Sequence, residues 1–315
     1  MSYVAAMKKP RMLIIVGPTA SGKSALAVHL ARRFKGEVIS ADSRQVYKGL
    51  TIGTGKISKR EMKGIPHHLL DAASPKRRFS AGEYARRARR ALDMIYNINK
   101  LPIVVGGTGF YIDALVGRIV LPDVPPDKKL RAQLGKKSAQ QLFTLLKEQD
   151  PKRAKSMDTP SERNNEVRLI RAIEIAQGDH LSGQPGDMIY HITCESERYH
   201  ILWIGVRPED AELKRSINAR LKQRMRAGMV DEAKRVHKAG LSYKRMRELG
   251  LEYRSLALLL QNKISEKEMV RELESDIWRY ARKQIGYWKR NEDIRWFTPA
   301  QKTNIERVVR KWLEK

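Results

Sequence analysis

The feature that most constrains this chain is a phosphate-binding loop near its N-terminus. Gly17-Pro-Thr-Ala-Ser-Gly22-Lys23-Ser24 matches the pattern G-x-x-x-x-G-K-[ST] in full. A short apolar strand, Met12–Val16, precedes it, and apolar residues at helical spacing follow over Ser24–Phe34. Between strand and helix, the loop N–H groups and the helix N-terminus form an anion cradle. The sequence therefore predicts a site for a small diphosphate or triphosphate.

Strand and helix patterns alternate on both sides of this loop. We predict further buried strands at Glu37–Ser40, Leu101–Val105 and His200–Val206, and a long helix at Ala81–Ile98. Strands separated by helices are typical of a parallel sheet. The predicted fold class is α/β: a P-loop NTPase-like parallel sheet core with helices on both faces, interrupted by an all-helical insertion domain.

Changes in composition indicate where the insertion begins and ends. Residues 1–121 form the first part of the core, and a Pro-rich linker covers residues 121–127. Residues 122–190 are predicted as the helical insertion, with a loop at residues 178–186. Residues 191–315 complete the core and carry basic C-terminal helices.

The charge balance indicates a polyanionic partner. Lys and Arg number 63 against 35 Asp and Glu, a formal charge of +28, where solubility alone needs roughly 2–8. Nucleic acid is the first candidate and an acidic membrane the second, while a basic proteome in the host organism is the alternative. No apolar run approaches the ~18 residues of a membrane span. With the single cysteine, Cys194, neither a disulfide nor a zinc site is expected, and the expected location is the cytoplasm.

Two residues of the α/β part are candidates for chemistry beside the loop. Many NTPases place an acid at a strand end, but Leu101–Val105 leads into Gly106-Gly107-Thr108-Gly109. The well-placed acid is Asp42, just after the second strand, where it is either a general base or a turn and capping residue. The Thr108 hydroxyl either binds a diphosphate oxygen or the nucleophile, or it is a turn threonine.

Lys23 and Ser24 have defined roles in a P-loop. Lys23 adds a positive charge at the phosphates, and the Ser24 hydroxyl is placed to ligate Mg²⁺. The pair His67 and His68 has no third ligand at suitable spacing. It is therefore interpreted as structural or substrate-orienting rather than as a zinc site.

These motifs together resemble the tRNA dimethylallyltransferases, also called tRNA isopentenyltransferases. The resemblance covers nearly the whole chain, in the family's order. It is carried by Gly17–Ser24, Asp42–Tyr47, Ile52–Thr54, Lys56, Pro66–Asp71, Gly106–Tyr111, Arg168, Arg171, Ala172, Glu174, Gly228, Met229 and Glu232. Phe110 replaces the family's leucine. The segment Ile277–Tyr287 keeps Tyr280, Ala281 and Gln284 of the family pattern and departs from the rest.

The resemblance implies transfer of a dimethylallyl group from its diphosphate to the exocyclic amine of the adenosine immediately 3′ of the anticodon in tRNA. It implies Asp42, Thr108 and Arg220 as catalytic residues, with Asp42 taking the amine proton, and Mg²⁺ on Ser24. The implied diphosphate-binding residues are Gly17, Thr19, Ala20, Ser21, Gly22, Lys23 and Ser24. Trp278, Tyr280, Tyr287 and Trp288 lie among basic residues and either stack on bases or, as their helical spacing favours, pack in the core.

The implied partners are dimethylallyl diphosphate and the anticodon stem-loop of tRNA, with no membrane, and the protein is expected to be a monomer. The basic clusters Lys76–Arg90, Lys128–Lys137 and Lys152–Arg171 are candidates for phosphate contacts. The implied tRNA-binding residues are Asp42, Ser43, Arg44, Gln45, Thr108, Arg131, Val167, Arg168, Leu169, Ile170 and Arg171.

Three other functions are compatible with parts of the sequence. A small-molecule P-loop kinase would share the loop, Mg²⁺ and an acid after the second strand, but has no use for the charge. An adenylate isopentenyltransferase acts on free nucleotide, and the insertion and basic clusters argue against it. A non-catalytic RNA-binding protein would have no use for an intact P-loop.

Overall fold

The computed structural model describes residues 9–119, 121–122, 124–182 and 198–315; for residues 179–182 only the helical backbone is described. Cys194 lies outside these residues. The chain divides into two compact units, Met1–Gly117 with Cys194–Lys315 and Arg118–Thr193. The first unit is discontinuous in sequence, because the second is inserted into it.

The first unit is built on one parallel sheet, which has six strands in the described part of the chain. The strands are β1 Arg11–Val16, β2 Gly36–Ser40, β3 His67–His68, β4 Leu101–Gly106, β5 His200–Val206 and β6 Arg295–Phe297. They run in the order β3-β2-β4-β1-β5-β6, with every neighbouring pair parallel. The predicted fold class is thus confirmed.

Both faces of the sheet are covered by helices. These are α1 Lys23–Arg33, α2 Lys59–Met62, α3 Ala81–Asn97, α4 Gly109–Leu115, α10 Asp210–Arg226, α11 Met229–Lys238, α12 Tyr243–Leu249, α13 Leu251–Leu260, α14 Glu266–Trp288 and α15 Lys302–Glu314. Side chains alternate along β1: Met12 and Ile14 pack towards α3, α4 and α10–α14, whereas Leu13 and Ile15 pack towards α1 and α15. Two buried faces explain why the central strands are continuously apolar.

The second unit contains only helices in its described part. They are α5 Lys128–Leu134, α6 Ala139–Gln149, α7 Pro151–Ser156, α8 Pro160–Arg163 and α9 Glu166–Ser182. Side-chain oxygens of Asp127, Ser138, Asp150 and Thr159 cap the first four. Leu134, Leu142, Leu146, Leu169 and Ile173 form the centre of a small core of its own.

Two details of the predicted structure are wrong. The loop predicted from Gly178 does not begin there, since α9 continues to Ser182, and the rest of that loop lies outside the described residues. A Cβ on Gly178 would lie 2.5 Å from Val124, so close packing explains a glycine within this helix. The C-terminal part, predicted as helical after β5, also contains the short edge strand β6.

The described helices include none that is both long and apolar enough to cross a membrane.

Candidate active site

The predicted catalytic residues meet at the carboxyl edge of the sheet. An open cleft of about 870 Å³, counting space open to solvent, lies beyond the ends of β1, β2 and β4. Ligands of open α/β sheets bind at this edge. Lys23, Ser24, Asp42 and Arg220 line the cleft together, from three different stretches of the fold. They are joined there by Thr19, Arg44 and Gln45.

The P-loop backbone follows the shape that its glycines allow. Gly17 and Gly22 have φ values of 149° and 83°, and Gly22 precedes α1 directly. A Cβ on Gly17 would lie 2.3 Å from the Val206 carbonyl oxygen, so no larger residue fits at the end of β1. Ala20 also has a positive φ, of 62°. The loop therefore curls tightly in front of the α1 N-terminus, as an anion cradle requires.

Lys23 carries the positive charge of this cradle. Its Nζ donates a 2.8 Å hydrogen bond to the carbonyl oxygen of Pro18, across the loop. Burial lowers the pKa of Lys23 to about 8; Arg220 adds to this effect and Asp42 opposes it. A phosphate bound in the loop would stabilise the charged form, because it places negative charge at the ammonium group.

Asp42 is held in a turn by one of its two carboxylate oxygens. Its Oδ1 accepts hydrogen bonds from the N–H groups of Arg44, at 2.8 Å, and Gln45, at 3.3 Å, which is a turn-forming contact. Within the described chain, Oδ2 accepts no hydrogen bond. The carboxylate is held by one oxygen and presents the other to the cleft, as a general base must.

Thr108 connects the ends of β2 and β4. Its Oγ1 accepts a 3.0 Å hydrogen bond from the Ser43 N–H and lies 3.4 Å from Ser43 Oγ. Its own N–H donates to the carbonyl oxygen of Ala41 at 3.1 Å. Thr108 thus fixes the turn that carries Asp42, in addition to any contact with substrate.

Arg220 reaches the cleft from α10. Burial lowers its pKa to about 10; Arg224 adds to this effect, while Glu252, Glu61 and Asp42 oppose it. Among the described residues, no carboxylate is close enough to form an ion pair with its guanidinium. A desolvated and unpaired guanidinium beside Lys23 provides strong attraction for a bound anion.

Sequence reasoning missed several polar residues of the cleft. Arg224 donates to Glu252 at 2.9 Å, and both line the cleft. Tyr280, interpreted as a core aromatic, also lines it; burial raises its pKa to about 12, Asp42 adds to the rise, and a hydrogen bond with Thr108 opposes it. The family motif around Gln284 was the available signal for this helix.

The remaining three aromatics of that interpretation differ. Trp278 is partly buried and packs against the core. Trp288 is buried in the core, as predicted. Tyr287 is partly buried and hydrogen-bonds Asp113, while Arg290 lies over its ring at 3.8 Å.

The two histidines of the predicted pair have different surroundings. His68 hydrogen-bonds Glu37 at 2.7 Å, and His67 lines the cleft.

A second buried carboxylate shapes one wall of the cleft. Glu232 accepts hydrogen bonds from the backbone N–H groups of Thr51, Ile52 and Gly53 and from the Tyr253 hydroxyl, at 2.6–2.9 Å. Thr54 and Gly55, the next residues, line the cleft. The family signature that contains Glu232 therefore anchors a loop of the site.

The groups near the P-loop suit a hard divalent cation. Ser24, the second residue of α1, is exposed and lines the same cleft as the Asp42 carboxylate. Hydroxyl, carboxylate and phosphate oxygens are the donors that Mg²⁺ prefers. The described residues contain no cluster of three His, Cys, Asp or Glu that would hold a metal by protein ligands alone. Bound phosphate would therefore have to supply part of the coordination.

Most of the predicted tRNA-binding residues of the insertion are engaged in contacts within the insertion itself. Arg131 and Arg171 both donate to Glu174, which is 2% exposed, and Arg168 pairs with Glu162. Leu169 is fully buried in the insertion core, so its side chain cannot contact RNA. Val167 is 69% exposed, and Ile170 is partly buried.

Comparison with known proteins gives a consistent result. The family model described as IPP transferase matches residues 45–291. A tRNA dimethylallyltransferase 2 of Citrifermentans bemidjiense is 41% identical over 89% of this chain and 87% of its own. A tRNA dimethylallyltransferase of Bacillus licheniformis is 34% identical over 95% of this chain and 94% of its own.

Solved structures are similar over the same length. The full-length tRNA isopentenylpyrophosphate transferase of Bacillus halodurans has a TM-score of 0.71 and 32% identity, covering 97% of each chain. A eukaryotic dimethylallyltransferase acting on tRNA has a TM-score of 0.78 over 92% of this chain and 74% of its own. At 21% identity, that second structure supports the fold alone.

Proposed function

Because this chain belongs to the IPP transferase family, whose curated relatives are tRNA dimethylallyltransferases, we propose that it transfers a dimethylallyl group from dimethylallyl diphosphate to tRNA. The acceptor is the exocyclic amine of the adenosine immediately 3′ of the anticodon, and diphosphate is released. It is a prenyltransferase acting on tRNA. The observation that carries the proposal is one cleft that holds Lys23, Arg220 and Asp42 together.

The donor's diphosphate would lie in the P-loop. Lys23 and Arg220 would neutralise charge on the diphosphate as the bond between its oxygen and the allylic carbon breaks. Mg²⁺, held by Ser24 and phosphate oxygens, would supply further neutralisation of the leaving group. The low pKa of free Lys23 makes this site sensitive to the anion, since binding the diphosphate restores the lysine charge.

The acceptor adenosine of the tRNA would enter the cleft and approach Asp42. The amine nitrogen of adenine is a weak nucleophile, and its bond to the allylic carbon forms as the C–O bond breaks. Asp42 Oδ2 would take the proton that the nitrogen loses, while Oδ1 stays in its turn. Thr108 would orient the amine or the diphosphate beside it.

The tRNA would be held by its anticodon stem-loop. The target base must leave its stack, which costs a few kcal/mol, and the net charge of +28 favours the phosphate contacts that offset this cost. Ser43, Arg44 and Gln45 beside Asp42 are placed for contacts with neighbouring bases. We further propose that the protein acts as a monomer in the cytoplasm.

The direct test incubates the protein and Mg²⁺ with dimethylallyl diphosphate labelled in its allyl group and with unmodified tRNA. Label in the tRNA, on the adenosine 3′ of the anticodon, supports the proposal. Parallel reactions contain AMP in place of tRNA, or ATP alone. Transfer to AMP without transfer to tRNA would favour an adenylate isopentenyltransferase, and phosphate release from ATP alone would favour a kinase.

A further inference from the structure

A buried glutamine joins the two loops that would hold the two substrates. We propose that Gln284 is a positioning residue, whose side-chain amide sets the spacing between the P-loop and the loop that carries Thr108. The inference rests on the proposed function and goes beyond it, because it assigns a role to a residue that lines the cleft while its amide binds the backbone of both loops.

Both ends of the Gln284 amide are used. Its Oε1 accepts a 2.8 Å hydrogen bond from the N–H of Thr19, in the P-loop. Its Nε2 donates a 3.0 Å hydrogen bond to the carbonyl oxygen of Gly107, the residue before Thr108. Gln284 is only 6% exposed, so neither bond competes freely with water.

This contact changes the role predicted for Thr19. Its N–H belongs to the P-loop and was expected to face a diphosphate, but it donates its hydrogen bond to Gln284 Oε1 instead. Thr19 still lines the cleft through its other atoms. The contact therefore fixes the first turn of the P-loop to α14.

The limited space around Gly107 shows how closely α14 approaches the loop that carries Thr108. A Cβ on Gly107 would lie 2.0 Å from Gln284 Nε2 and 3.6 Å from the Gly17 carbonyl oxygen. Gly107 is thus in contact with both the glutamine amide and the start of the P-loop. A side chain at this position would push the two loops apart.

The same helix also delivers a second residue to the site. Tyr280 lies one turn before Gln284 on α14, lines the cleft and is close enough to Thr108 for that residue to lower its pKa. The Gln284 contacts thereby fix α14 beside Thr108. Thr108 in turn holds the turn that contains Asp42, because its hydroxyl accepts a hydrogen bond from the Ser43 N–H. The Gln284 contacts thus link three parts of the site through α14: the P-loop, the loop that carries Thr108, and Tyr280.

An amide meets both requirements of this position at every pH, because it always carries one acceptor and one donor. Methionine has a similar shape but can make neither hydrogen bond with useful strength. An ionised glutamate accepts from Thr19 but faces the Gly107 carbonyl oxygen with a second acceptor, whereas a protonated glutamate can accept and donate as glutamine does. A misplacement of reacting groups by about 1 Å costs about 100-fold in rate.

The test measures single-turnover transfer at saturating tRNA and dimethylallyl diphosphate for Gln284→Met and Gln284→Glu, at a temperature well below each variant's Tm. We expect the Met variant to lose about 100-fold in the transfer rate, with tRNA affinity within about twofold of wild type. A rate close to that of wild type would overturn the proposal. So would a rate loss that is matched by an equal loss of tRNA affinity.

The pH profile of Gln284→Glu supplies a readout that depends on the hydrogen-bond pattern itself. Its rate, divided by that of wild type at the same pH, should rise as the pH falls, because protonation restores the donor to Gly107. A ratio that stays flat or falls contradicts the assigned role. Dividing by the wild-type rate removes the titration of the catalytic groups.

Gln261→Met is the matched control. Among the described residues, the amide of Gln261 donates only to the Ala257 carbonyl oxygen, at 2.7 Å, at the end of α13. The wild-type transfer rate is expected to persist in this variant. Failure of the proposed function would appear as a wild-type protein without transfer to tRNA. Failure of this inference would appear as an active wild type with an equally active Gln284→Met variant.

Discussion

The cleft of the α/β unit and the helical insertion both carry basic side chains, but they hold them differently. In the cleft, Lys23 is bound only by a loop carbonyl and Arg220 has no ion pair among the described residues. In the insertion, Arg131 and Arg171 are both bound to the buried Glu174. The first arrangement leaves positive charge for a ligand, whereas the second uses it to hold helices together.

This difference separates two kinds of family signature. A motif whose charges remain unpaired in a cleft indicates chemistry, and one whose charges pair internally indicates architecture. Arg171 and Glu174 belong to the family signature of the insertion, and in the free protein they stabilise α5 and α9. Substitutions in the two regions should therefore affect different measurements.

The largest effect is expected in the cleft, for Asp42→Asn. Asparagine retains an oxygen that can accept from Arg44 and Gln45, but it cannot take a proton. Single-turnover transfer should fall by about 10²–10⁴, the usual contribution of a general base. tRNA affinity, measured by filter binding, should stay close to that of wild type; a variant with nearly full activity would remove Asp42 as the base.

The next effect concerns the charge of Lys23. Since its pKa is about 8 in the free protein and a bound diphosphate raises it, binding takes up a proton above pH 8. The affinity for dimethylallyl diphosphate should fall as the pH rises above 8, by up to about tenfold per pH unit. Calorimetry in buffers of different ionisation enthalpy measures the proton uptake, and Lys23→Met should abolish it. Uptake that persists in this variant would assign it to another group.

In the insertion, Glu174→Gln is expected to affect stability before chemistry. The variant leaves Arg131 and Arg171 without their carboxylate. Because both arginines are about one-third exposed, the loss is that of charge-assisted hydrogen bonds, about 1.5–3 kcal/mol of unfolding free energy. Denaturant unfolding measures the loss. Transfer at saturating tRNA should remain near the wild-type rate, and a loss comparable to that of Asp42→Asn would erase the distinction between the regions.

The same carboxylate gives a pH dependence with a defined sign. Burial opposes ionisation of Glu174, but hydrogen bonds from Arg131, Arg171 and the Asp127 N–H outweigh it and lower its pKa. Its stabilising contribution is therefore present above the ordinary value of 4.5 and is lost as the pH falls through the lower folded value. Glu174→Gln should lack this part of the acid transition.

The smallest effect on stability is expected for Arg168→Ala. Its ion pair with Glu162 is exposed, so the free energy of unfolding should change by less than about 1 kcal/mol. If Arg168 contacts a tRNA phosphate, the slope of log affinity against log salt should decrease by about 1. An unchanged slope would make Arg168 a surface residue without a part in binding.

The sequence predicted the sheet well, for physical reasons. Strands buried on both faces are continuous apolar runs, and β5 was predicted with its observed bounds, His200–Val206. The three-residue strand β6 was missed because it is short, lies at the edge and is largely exposed. Gly178 was read as a loop because its packing against Val124 depends on tertiary structure.

The unpredicted parts of the site depend on contacts between distant segments. Thr19 and Gln284 are 265 residues apart, and no local pattern reveals that one binds the other. Likewise, Tyr280 and Trp288 are similar by spacing, but one lines the cleft and the other fills the core. Which arginines are paired internally also required the structure.

The most direct test of the difference between the two regions compares Asp42→Asn and Glu174→Gln in one single-turnover experiment, with labelled dimethylallyl diphosphate and saturating unmodified tRNA. We predict that Asp42→Asn binds tRNA normally but loses transfer by about 10²–10⁴. Glu174→Gln should transfer at a rate near that of wild type once tRNA is saturating. Equal losses in both variants, or a fully active Asp42→Asn, would contradict the assignment of chemistry to the cleft.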